Sequence, residues 1–146
     1  MISSKLQQAI NDQITAELWS SQLYLQMSYL DIQSAKKFDD RIAVCANSID
    51  IHLKKGVAYS AHNDKNYYIP LSCLIAKDID NLLTAGKSLS SDKYAFAAVR
   101  VMPPCAAMGE AAGVTAAIAA LKGINVTDVD YKEVQSTLRS NGAYLD

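Results

Sequence analysis

The stretch that decides the reading runs from Asn81 to Ala120: NLLTAGKSLSSDKYAFAAVRVMPPCAAMGEAAGVTAAIAA. Its order is a short apolar strand, a glycine, a serine-rich loop, an arginine, two prolines, and then a helix made almost wholly of small residues. Each part has a physical use. Gly86, ending the strand Leu82–Ala85, lets another group approach the backbone closely. Pro103-Pro104 opens a helix, since proline is tolerated in the first turn. Gly123 closes it, with Lys122 favourable beside the carbonyl end. A helix N-terminus offers unpaired N–H groups and the positive end of a dipole to an electron-rich ligand edge. Gly109 and Gly113, with Ala106, Ala112, Ala116 and Ala117, strip side chains from the helix surface, so another element or a flat cofactor can pack there. Spacing alone favours the plainer reading, a tightly packed core helix, because small-residue patterns recur by chance.

Working outward, Ile69, Leu71, Cys73 and Ile75 alternate with Pro70, Ser72 and Leu74. That alternation predicts a strand, with Pro70 near its start or on an edge. Lys77-Asp78-Ile79-Asp80-Asn81 reads as a turn, so this strand and Leu82–Ala85 are expected to pair as a hairpin. Ile42-Ala43-Val44 and Ile49-Asp50-Ile51 are short strands, and Gly56 to Asn66 is a loop by its turn chemistry. A last helix is expected from Asp130 to Ser140. Asp130 is its N-cap with Glu133 three residues on, Tyr131, Val134 and Leu138 form its apolar face, and Asn141-Gly142 stops it.

Residues 1–30 read as one amphipathic helix. Ser4-Lys5-Leu6-Gln7 has the form of a capping box. Ile2, Leu6, Ile10, Ile14 and Leu18 recur every fourth residue, and Leu25 continues the stripe. About 28 helical residues would reach roughly 42 Å, a length typical of bundles.

Composition excludes more than it suggests. In 146 residues, 50% are hydrophobic and 20% charged, with a formal net charge of -1. Near-neutrality gives no electrostatic case for nucleic acid or an anionic membrane. The polar N-terminus shows no apolar signal core, and the apolar stretch Ala111–Leu121 is too short to span a bilayer. Cys45, Cys73 and Cys105 are odd in number and widely spaced, which favours free thiols in a reducing, cytoplasmic setting. Cys105, in a helix first turn, could support redox chemistry, but an inert thiol is the simpler reading. The same holds for His52 and His62: a hydrogen-bonded structural role is favoured for the first and a surface loop for the second. Asp78, Asp80 and Asp92 read as turn and loop carboxylates. No nucleophile–His–acid arrangement points to a hydrolase.

The run from Asn81 resembles the C-terminal signature of a family of FAD-dependent oxidoreductases. The matching pieces are Asn81–Lys87, Val99-Arg100-Val101-Met102-Pro103 and Ala107-Met108-Gly109-Glu110-Ala111-Ala112-Gly113. Ile49–His52, Tyr68–Ile75 and the closing Val134–Gly142 helix are similar to that family too, so the resemblance covers about residues 35–146. It implies that Ala85, Gly86 and Lys87 pass close to the FAD ribitol and pyrophosphate. It places Arg100, Met102 and Pro103 beside the flavin, and aims the N–H groups at Met108-Gly109 towards the pyrimidine edge. Lys87 stands where the family more often has Arg, keeping the charge and losing the planar fork.

What such an enzyme also needs is a βαβ unit carrying G-x-G-x-x-G, and no G-x-G occurs in the sequence. The isolated chain is therefore expected to bind FAD weakly or not at all, its dinucleotide-binding half being either absent here or supplied by another chain. Residues 1–30 resemble the first helix of a bacterial non-haem ferritin, which implies an iron-ligand position at Glu17. A ferritin di-iron site also needs an E-x-x-H motif, which the sequence lacks, so no metal site is expected of this chain alone. The expected fold class is α/β, a mixed α+β fragment. It comprises a long N-terminal helix (1–33), then a C-terminal oxidoreductase segment (34–146) with short strands, an Ala/Gly-rich helix and a closing helix. A flavin oxidoreductase, an iron-binding helix, and a fused or truncated piece without independent activity all stay open.

Overall fold

A computed structural model describes residues 34–52, 58–61, 65–76 and 78–146. The expected N-terminal helix with Glu17 lies outside them, as does His62. In chain order the elements are β1 (Arg41–Cys45), β2 (Ile49–His52), β3 (Ala58–Ala61), β4 (Tyr67–Pro70), α1 (Lys93–Val99), α2 (Met102–Lys122) and α3 (Tyr131–Ser140). β1 pairs with β4 and β2 with β3, both antiparallel, giving two two-stranded sheets. Arg41 lies opposite Pro70 and Cys45 opposite Tyr67, with an irregularity between Arg41 and Ala43. The described part is the mixed helix-and-strand fragment expected.

The helices follow their punctuation. Asp92 caps α1, its carboxylate accepting from the N–H groups of Tyr94 and Ala95. Asp130 caps α3 in the same way, accepting from Lys132 N–H. α2 starts after Val101 with both prolines in its first turn, and stops where Gly123 takes a left-handed φ of 64°. That conformation costs a glycine little and other residues much.

Four expectations need correction. The alternation from Ile69 to Ile75 does not continue as a strand: β4 ends at Pro70, and Leu71–Cys73 is a turn of 3-10 helix. All four β4 residues are buried, so there was no exposed face for alternation to report. The hairpin with Leu82–Ala85 shrinks to a single bridge between Ile75 and Leu83, supported by Thr84 N–H donating to Leu74 O at 2.7 Å. Ala58–Ala61, within the expected loop, is a strand that completes β2. Finally α2 runs for 21 residues, which is long and apolar enough, by length and composition, to cross a membrane.

One face of α2 is nevertheless packed in protein. It rests on β1 and α3, burying Met108, Ala111, Thr115, Ile118 and Ala119. Polar ties bind the same core. Buried Tyr67 donates its hydroxyl to Ala98 O at 3.1 Å. The Gln135 amide on α3 donates to Asp39 O and Arg41 O at 2.7 and 2.9 Å. Arg41 reaches the C-terminal tail, its Nε donating to Leu145 O at 2.6 Å. Lys122 at the end of α2 pairs with Glu133 on α3.

Candidate functional site

Gly86 is held in a left-handed conformation, φ 67°, at the head of a 3-10 turn spanning Gly86–Ser88. That turn packs against the start of α2. A Cβ built on Gly86 would meet Cys105 Sγ at 3.6 Å. The glycine and the proline-started helix are therefore neighbours, and what lies between them is a thiol rather than a bulky side chain. Cys105 is half-buried and directs its Sγ at Val99 O, 3.8 Å away.

The other expected site residues divide into three groups. Ala85, Lys87, Met102, Pro103 and Gly109 are exposed, and Met102 is 86% exposed. Among the described residues nothing lies within 4 Å of a Cβ added at Gly109 or Gly113, so with respect to them the small-residue face of α2 is open. Arg100 is tied elsewhere: its Nη2 donates to Asp50 O on β2 at 2.9 Å. Met108 is fully buried in the core, and its N–H sits six residues into α2, where helix N–H groups donate four residues back.

The helix start itself carries few donors. An α-helix leaves its first-turn N–H groups open, but Pro103 and Pro104 have none to give, and Cys105 N–H already donates to Val101 O at 3.2 Å. That leaves the N–H groups of Val101 and Met102 as the donors at this end.

Two residues escaped the sequence reading. Ser90 and Ser91, in the loop joining Gly86 to α1, each bury a hydroxyl with no hydrogen-bond partner. A buried orphan of this kind costs about 1–3 kcal/mol. The serine-rich loop was visible in the sequence, but nothing there marks which hydroxyls turn inward.

Electrostatics elsewhere argue against a reactive thiol at Cys45. Burial pushes the Cys45 thiol up to about 12, opposed by its hydrogen bond with Tyr67. Tyr67 is raised as well, by burial first and by the neighbouring Cys45 second. Among the described residues no group of three His, Cys, Asp or Glu side chains could hold a metal ion.

A model of the family described as FAD dependent oxidoreductase matches residues 22–138, most of the chain. The chain belongs to the FAD-dependent oxidoreductase family. The match begins earlier than residue 35, where the resemblance was expected to start, and spans β1 to α3. Two bacterial non-heme ferritins, from Bacteroides fragilis strains 638R and YCH46, are each 72% identical to this chain over 29 residues. That covers 20% of this chain and 18% of each ferritin, so the chain spans less than a fifth of the curated relatives it matches. No solved structure matches.

Membership implies FAD. Met102, Pro103 and Gly109 are exposed on the helix whose Cys105 meets Gly86, which leaves room for one edge of a flat ring system. The donor set does not fit the dinucleotide as a whole: the sequence has no G-x-G, and prolines have removed two of the N–H groups with which the α2 start could hold phosphate.

Proposed function

We propose that this chain is the C-terminal, flavin-contacting part of an FAD-dependent oxidoreductase, and that alone it holds FAD weakly or not at all. The observation that carries the reading is the contact between Gly86 and the first turn of α2, beside an open small-residue face, in a chain without a phosphate-binding glycine motif. The complementary dinucleotide-binding half is not among these 146 residues. Three free cysteines support a reducing, cytoplasmic setting.

Titrating the full chain with FAD and following flavin absorbance tests this. No stoichiometric binding is expected, and a separately made G-x-G-x-x-G domain of the same family should restore it on mixing. Stoichiometric flavin in the chain alone would sink the proposal.

The ferritin match supports a second reading, in which the N-terminal segment joins a ferritin-like iron assembly. Its test is ferrous iron loading with sizing of the particle. A large iron-filled shell would establish it; an iron-free small species would leave the flavin reading alone.

A further inference from the structure

We propose that the cleft between β2 and α1 binds a small monocarboxylate with an apolar tail. Arg100 is also a residue that the family resemblance sets beside the flavin, but the test is read on the chain without FAD, so its outcome is separate from that of the flavin reading. The cavity, about 180 Å³, is lined by Asp50, Ile51, Lys93, Phe96, Ala97 and Arg100. Lys93, Phe96, Ala97 and Arg100 stand at helical spacings of three, four and seven, which puts them on one face of α1. α1 packs against β2, so two cations overlook one small space.

The chemistry of that space is specific. Arg100 spends one N–H on Asp50 O at 2.9 Å, which holds the guanidinium plane and leaves further donors of its rigid fork for a ligand. A carboxylate accepts two parallel bonds from such a fork. Buried Ile51 and Ala97, with half-buried Phe96, form the apolar wall a carboxylate's tail would cover. The small volume sets the size limit, and Asp50, also among the lining residues, adds a negative charge nearby that disfavours a phosphate or dicarboxylate.

The test is NMR titration of the full, nitrogen-15-labelled chain with benzoate, using benzamide and sodium chloride as controls. Saturable shifts at Arg100, Lys93 and Phe96 with benzoate alone are expected. Arg100→Lys, which loses the fork, should weaken binding about tenfold, the effect of losing one charge-assisted hydrogen bond. Lys93→Gln should weaken it about threefold, as for an exposed charge. Lys93 is at the exposed start of α1, so this variant keeps the test valid if the Arg100 variant folds poorly. Benzamide binding as well as benzoate, shifts that follow salt alone, or undiminished binding in the folded variants would overturn the proposal.

Discussion

Gly86 and Cys105 are in contact: a Cβ on the glycine would touch the cysteine Sγ at 3.6 Å, an ordinary van der Waals distance. The space at Gly86 therefore tolerates a methyl group, and its backbone does not. Gly86→Ala should cost about 1–2 kcal/mol, the penalty for a left-handed L-residue. Urea unfolding checks this. A loss well under half a kcal/mol would mean that the turn relaxes.

Gly109 and Gly113 predict the opposite sign. Both lie inside α2 with open space, among the described residues, where a Cβ would go. Replacing either by Ala should stabilise the isolated chain by about 0.5–1 kcal/mol through helix propensity. If the face is covered by a second half on assembly, Gly109→Leu should leave the isolated fold intact and abolish flavin uptake by the mixture. Unchanged uptake would show that the face is not the one covered.

Gln135 joins α3 to the strand region through two hydrogen bonds to backbone carbonyls. It is only 7% exposed, so truncation strands two acceptors. Gln135→Ala should cost about 1–3 kcal/mol, read as a lower urea midpoint with an unchanged slope.

The half-buried Cys45 thiol gives a pH dependence. Its folded pKa is raised from 9.0 to about 12, so the native state favours the protonated form. That stability is fully present below about pH 9 and is lost as pH rises towards 12, because the unfolded chain releases its proton first. Tyr67, raised for the same reason, adds to the loss at the upper end. The urea midpoint should be flat to pH 9 and then fall, and Cys45→Ala should flatten the first part of that fall. A thiol reagent at pH 8 should modify Cys45 only when the chain is unfolded.

Much of the helical part was legible because its ends are chemically marked. Asp130 and Asn141-Gly142 bracket α3, and the prolines and Gly123 bracket α2. α1 was missed, although Ser91-Asp92 before Lys93 is a cap signal, because Tyr94, Phe96 and three alanines show no helical stripe in a seven-residue run. The strand past Pro70 was overread: alternation reports burial on one face, and Tyr67–Leu71 is buried throughout. β3 was unreadable because its four residues have little apolar character, and only pairing with β2 extends them. At the candidate site, Gly86 and the α2 start could be named from resemblance. Their contact through Cys105 and the inward turn of Ser90 and Ser91 depend on tertiary packing that no local pattern encodes.

The pair of prolines at the head of α2 sets the character of whatever rests there. A helix entrance with its donors intact is a clamp for anions, and its grip fades as ions are added. With two donors deleted and Met102 standing out over the rim, this entrance is a blunt, water-shedding ledge. A molecule seated on it would be held by shape and dispersion, and its residence should barely change between dilute buffer and brine.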